Sequence, residues 1–179
     1  MDTLASLAAR YGHHEMIYQP YTFCSYCGHP YGPDAGWPRH CTNCDNLIFR
    51  NPIPVAVVLQ PVDNGVLTVR RTIEPRSGWL ALPGGYVDWG ETWQEAGARE
   101  MWEEAGVRID PNGLREFKVF SASNSTMMVV ARATPLTASE LPPFVPNDEA
   151  SERTVITEPQ ELAFPLHTEI VNAFFNGEL

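Results

Sequence analysis

Three carboxylates, Glu100, Glu103 and Glu104, crowd into one short stretch of the chain. At about 100° per residue they share one side of a helix, opposite Ala98, Met101, Trp102 and Ala105. Like charges so placed repel one another. Two readings account for them. One is a solvated acidic face partly neutralised by Arg99, four residues after Glu95 and four before Glu103. The other is a set of hard oxygen ligands whose charge is taken up by a divalent cation such as Mg²⁺. From the helix alone the solvated face is preferred. A second cluster is sulfur. Cys24-x2-Cys27 and Cys41-x2-Cys44 use every cysteine of the chain. Paired knuckles of this spacing read as a tetrahedral Cys₄ zinc site. A disulfide framework belongs to an oxidising compartment, and a redox C-x-x-C needs no second copy, so zinc is preferred. Four thiolates leave no open coordination position, so Zn²⁺ there is structural. His29 and His40 are spare ligands at most.

The elements that must position the glutamates are marked locally. Thr92 and Glu95 have the spacing of a capping box, and Gly106 stands where a left-handed C-terminal glycine would end the helix. Upstream, Leu82-Pro83-Gly84-Gly85 reads as a glycine turn that lets backbone approach a ligand. The whole stretch fits Gly-x5-Glu-x7-Arg-Glu-U-x-Glu-Glu-x-Gly-U, with U apolar. Its fixed positions are Gly85, Glu91, Arg99, Glu100, Met101, Glu103, Glu104, Gly106 and Val107. This resembles the signature of the Nudix hydrolases, with every fixed position filled, and shifts the preference to the metal reading.

The resemblance implies hydrolysis of a nucleoside diphosphate linked to another moiety. It implies Mg²⁺ or Mn²⁺ held by Glu100, Glu103 and Glu104, with the Gly85 carbonyl as a further ligand. A late-loop carboxylate, Glu149 or Glu152, is expected to join the metal site, and the base is Glu104 or one of these two. Arg99 is expected to brace Glu91, Glu95 or Glu103. Arg71, Trp79 and Gly84 are the candidate substrate contacts, although Arg71 reads equally as a charged strand end and Trp79 as core.

A Cys₄ ribbon before such a domain resembles the NADH pyrophosphatases and a shorter group of nucleotide-sugar and flavin-dinucleotide pyrophosphatases. The NADH enzymes carry Ser-Gln-Pro-Trp after the signature. Here Phe120-Ser121-Ala122-Ser123-Asn124-Ser125-Thr126 stands instead, and the chain is short for those enzymes' extra N-terminal domain. ADP-ribose or FAD is therefore expected ahead of NADH. A non-hydrolytic nucleotide sensor is the alternative, favoured by decayed glutamates, which are intact here.

The rest of the chain bounds these readings. A length of 179 residues suits one globular domain with a small appendage. A net charge of −10 argues against a broad footprint on nucleic acid or an acidic membrane. No apolar run approaches the roughly 20 residues of a membrane span, and no secretory signal is visible. The expected partner is a nucleotide-containing small molecule, in the cytoplasm, with a homodimer left open. Residues 2–11 read as a helix, and Asn51-Pro52-Ile53-Pro54 as a boundary. Strands are expected over residues 55–60, 66–71, 79–82, 114–121 and 127–132, with a short last one at Val155-Ile156. Asn64-Gly65 reads as a hairpin turn, residues 136–147 as an irregular loop, and 165–176 as a helix with Leu166, Ile170, Ala173 and Phe174 inward. The fold class is α/β: a Nudix-type α/β/α sandwich with a mixed sheet over residues 51–179. Before it come a zinc ribbon at 21–50 and an N-terminal helix within 1–20.

Overall fold

The computed structural model describes residues 21–122 and 125–178. The helix expected within residues 1–20 lies outside them. The described residues fall into two compact units that divide between Asn51 and Pro52.

In the first unit, β1 (Arg39–His40) and β2 (Leu47–Ile48) form a two-stranded antiparallel ribbon. Most of its aromatics stay at the surface: Tyr21, Phe23, Tyr26, Trp37 and Phe49 are all exposed. The buried apolar groups of this unit's described residues are Cys24 and Cys41. Among the described residues, the buried centre of this unit is therefore its cysteine cluster.

The second unit contains β3 (Ile53–Leu59), β4 (Pro61–Val62), β5 (Gly65–Arg71), β6 (Leu80–Ala81) and β7 (Gly84–Tyr86). Helix α1 (Trp93–Ala105) follows, then β8 (Arg115–Ser121), β9 (Thr126–Arg132), β10 (Ala150–Ile156) and α2 (Pro165–Phe175). One sheet runs β7-β3-β9-β8 and is mixed, since β3 and β9 are parallel and the other pairs antiparallel. The other runs β10-β5-β4, with β6 also on β5, and is antiparallel.

Alternation along the strands splits the core in two. Val58, Leu67 and Val69 pack with Met101 and Ala105 of α1. Val57, Leu59, Val66 and Val130 pack with Ile170 and Val171 of α2. The apolar run of β3 is thus buried on both faces, and the layers are α/β/α. Helix α1 sits close: a Cβ on Gly97 would lie 3.1 Å from side-chain atoms of both Leu114 and Val58.

Several expectations need correction. The hairpin is one residue early: Asp63 and Asn64 form the turn, Asp63 with φ of 49°, and Gly65 already pairs with Val62. A Cβ on Gly65 would meet the Ile156 carbonyl, so this glycine serves strand packing. The returning strand also meets β4 and not β3, which turns into the other sheet. Gly84 and Gly85 are strand residues beside β3, where a Cβ on Gly84 would strike the Ala56 carbonyl oxygen at 2.4 Å. The last strand is seven residues long, because its polar side chains need only one buried face while its backbone pairs with β5. Residues 138–140 form a 3-10 turn.

Candidate active site

Helix α1 begins as expected. The Thr92 hydroxyl accepts from the Glu95 N–H, and the Glu95 carboxylate accepts from the Thr92 N–H at 2.7 Å. It ends at Gly106 in the left-handed region, whose N–H reaches the Met101 and Trp102 carbonyls. The face it buries differs from the wheel. Ala96, Gly97, Glu100, Met101, Glu104 and Ala105 are buried, whereas Trp102 is 45% exposed beneath the Arg108 guanidinium. The inward face therefore includes two of the three glutamates.

Glu100 and Glu104 converge with Glu149, and one oxygen of each lies within 4.8 Å of the others. Glu149 is exposed and immediately precedes β10. Glu103 stays half-exposed, paired with Arg99 at 2.9 Å. Glu152 lies outside the cluster and pairs with Arg70 at 2.6 Å. The Gly84 N–H donates to Glu104 Oε2 at 3.0 Å. A Cβ on Gly85 would come within 2.3 Å of Glu100 Oε1, so any larger residue here would displace the carboxylate.

Arg99 braces the constellation: it donates to Glu91, Glu100, Glu103 and the Tyr86 carbonyl, all at 2.8 to 2.9 Å. Glu95, the remaining expected partner, is engaged in the cap instead. Glu91 also accepts from the Asp88 N–H at 2.7 Å, which ties the β7–α1 loop to the same arginine.

The cluster is electrostatically uphill. Burial raises the Glu100 pKa, with Arg99 opposing and Glu103 and Glu149 adding to the rise. Burial pushes Glu104 up to about 8; the Gly84 N–H pulls the other way, and Glu100 and Glu149 push further. Three crowded oxygens of this kind are the donor set a hard divalent cation favours.

Of the candidate substrate contacts, Arg71 is near enough to oppose the rise at Glu104, while its Nε donates to the Pro75 carbonyl and its guanidinium covers Phe164. Trp79 is 38% exposed with Arg76 over its ring. His167 was missed by the sequence reasoning, which left it off the inward face of α2. It is buried, and its Nδ1 accepts the Leu82 N–H at 3.1 Å, just before Pro83 and Gly84. Burial, then Arg71, lowers its pKa to about 3, so it is a neutral acceptor. Its place beside Leu166 and Ile170 was the only available signal.

In the first unit the four sulfurs also lie within 4.8 Å of one another. Cys24 and Cys44 are 3.7 Å apart, Cys27 and Cys41 3.6 Å. Tetrahedral Zn–S bonds of about 2.3 Å place sulfurs about 3.8 Å apart, whereas a disulfide needs about 2.05 Å. The spacing fits zinc. Gly28 and Asp45, both at positive φ, close the knuckles with N–H bonds to the Cys24 and Cys41 carbonyls. Asn43 and Asn46 donate to the sulfurs of Cys27 and Cys44. His40 pairs with Asp45 at 2.6 Å. Among the described residues no helix is long and apolar enough to cross a membrane.

Comparison with known proteins agrees with the fold. A family model described as NUDIX domain matches residues 50–174. The NAD-capped RNA hydrolase NudC of Klebsiella pneumoniae subsp. pneumoniae is 33% identical over 94 residues, 52% of this chain and 36% of that protein. Its Salmonella typhi counterpart is 32% identical over the same length. The matched segment thus spans about a third of these curated relatives. Among solved structures, a NUDIX hydrolase from Nitrosomonas europaea superposes with a TM-score of 0.72 at 26% identity, covering 87% of this chain and 90% of that one. A bifunctional NMN adenylyltransferase/ADP ribose pyrophosphatase from Francisella tularensis, complexed with AMP and a Mn ion, gives 0.53 at 25% identity, over 61% of this chain and 35% of that one.

Proposed function

The chain belongs to the Nudix family, and on that premise we propose that it hydrolyses the pyrophosphate of a nucleoside diphosphate linked to another moiety. ADP-ribose or FAD is the favoured substrate, Mg²⁺ or Mn²⁺ the cofactor. The observation that carries this reading is the convergence of Glu100, Glu104 and Glu149 from two distant segments. A merely solvated acidic face has no reason to bury two carboxylates and bring a third to them.

Glu100, Glu104 and Glu149 would hold the cation. When bound, it would neutralise diphosphate oxygens and acidify the attacking water. Gly84 holds Glu104 in place through its N–H, and Gly85 leaves room for Glu100. Arg99 fixes Glu100, Glu103 and the loop at Glu91, so its role is structural. Glu149, the exposed member, would take the proton of the attacking water. The water oxygen bonds to one phosphorus, the anhydride bond to the bridging oxygen breaks, and the other phosphate leaves as the anion. Arg71 and Trp79 remain proposed substrate contacts, with the Gly84 backbone beside the phosphates.

The first unit is proposed as a structural zinc ribbon, its reduced thiolates suited to the cytoplasm. A second reading, an NAD or NAD-capped RNA substrate, is favoured by the names of the curated relatives. The net charge of −10 and the sequence after the signature weigh against it.

A panel of ADP-ribose, FAD, NADH and NAD-capped RNA, assayed for AMP or decapped product with Mg²⁺ or Mn²⁺, tests the proposal. Cleavage of ADP-ribose or FAD ahead of NADH is expected, abolished in folded Glu104→Gln. A folded chain that binds these compounds and cleaves none is a sensor, and the hydrolytic reading fails.

A further inference from the structure

The expected site set did not include Asn147, yet it joins the two segments that supply the carboxylates. Its Nδ2 donates to the Glu103 carbonyl at 2.8 Å and the Glu104 carbonyl at 3.4 Å. Its Oδ1 accepts from the N–H groups of Glu149 at 2.9 Å and Ala150 at 2.8 Å. Its own N–H donates to the Ala150 carbonyl at 2.9 Å. Both functional atoms of one short side chain are therefore used, one toward α1 and one toward the segment bearing Glu149.

These bonds answer a need of the helix. The last turn of α1 leaves carbonyls without intrahelical partners. The Gly106 N–H reaches only Met101 and Trp102, and the last turn holds no basic residue of its own. The carbonyls of Glu103, Glu104 and Ala105 are met from outside, the first two by Asn147 and the third by Arg153 at 2.8 Å. On the far side of the loop, the Thr72 N–H donates to the Glu149 carbonyl at 3.0 Å, and the Thr72 hydroxyl donates to the Asp148 carbonyl. Glu149 is held between the end of the metal helix and β5.

We propose that Asn147 is a positioning residue for the metal site, fixing Glu149 against Glu100 and Glu104 by clamping its loop to the C-terminus of α1. The inference rests on the three-carboxylate reading above. Asn147→Asp separates its two halves. The acceptor toward Glu149 and Ala150 stays, while the donor toward the helix becomes a charged oxygen facing carbonyls at the negative end of the helix dipole.

The test is direct Mn²⁺ binding to the full chain, read from the electron paramagnetic resonance of the free ion, with a melting curve for each variant. Wild type should bind, and Glu104→Gln should lose binding. Asn147→Asp should bind roughly 10-fold or more weakly, as supporting partners of metal ligands commonly do. With Glu149→Gln already present, Asn147→Asp should add little, because its effect passes through Glu149. Should Asn147→Asp fail to fold, Asn147→Ala carries the same comparison without added charge. A lowered melting temperature with unchanged Mn²⁺ affinity, or fully additive losses in the double variant, overturns the positioning role and leaves the metal site standing. No Mn²⁺ binding by folded wild type overturns both.

Discussion

Replacing Glu104 by Gln removes one charge from a buried oxygen cluster and keeps the shape and the acceptor for the Gly84 N–H. Burial, opposed by that N–H and reinforced by Glu100 and Glu149, raises the Glu104 pKa from 4.5 to about 8. A folded-state pKa above the unfolded value means that the protonated form stabilises the fold. That contribution is complete below about pH 4.5 and is lost as pH climbs to about 8. The full shift corresponds to about 5 kcal/mol. Coupling to Glu100 and relaxation around an ionised Glu104 reduce this, and about 2 to 3 kcal/mol is expected. In magnesium-free buffer without chelator, which leaves the thiolate site alone, wild type should therefore lose stability from about pH 5 to about pH 8. Glu104→Gln should lose less by that margin, and should be the more stable of the two at the upper end. Excess Mg²⁺ should reverse the order, because only wild type gains from the ion. Urea unfolding followed by tryptophan fluorescence and circular dichroism reads both effects. Parallel pH profiles, with no Mg²⁺ response in either protein, would refute the reasoning and return α1 to a solvated acidic helix.

Two further predictions concern the supports. Cys24→Ser should reduce zinc content from about one equivalent per chain and loosen the first unit, with more effect on proteolysis there than on hydrolysis by folded protein; a zinc-free preparation of native stability would sink the ribbon reading. His167→Leu leaves the Leu82 N–H buried without its acceptor, at a cost of about 1 to 3 kcal/mol. His167→Asn, with an acceptor at a similar reach, should recover part of the stability and activity. Since His167 stays neutral down to about pH 3, no imidazole titration from it should appear in the activity profile near neutrality.

What was legible in the sequence was what is decided locally. The capping box, the glycine stop and the two cysteine knuckles are each fixed by residues a few positions apart, and the structure shows each one. Trp102 was misplaced because periodicity gives the spacing of a stripe and not which of two neighbouring stripes the sheet covers. Met101 and Ala105 are buried as expected, and the covered stripe extends from them toward Glu100 and Glu104, leaving Trp102 outside. His167 escaped because a polar residue on a helix defaults outward unless a distant N–H, here that of Leu82, needs it.

The choice between Glu149 and Glu152 shows where local reasoning ends. Three residues apart, the two carry the same charge and differ only in what β10 does with them. The pairing of β10 with β5 sets Glu152 opposite Arg70, which takes its carboxylate. Glu149 falls one residue before the strand begins, where the Asn147 clamp and Thr72 hold the backbone, and its side chain is left to meet Glu100 and Glu104. Two ligands of the proposed site thus come from adjacent helical turns and can be read from a motif. The third arrives through sheet register and a single asparagine. Bringing it there raises the repulsion in the cluster, as the upward pKa shifts of Glu100 and Glu104 record. The hydrogen bonds from three segments hold like charges together, and the cation proposed above would relieve their repulsion.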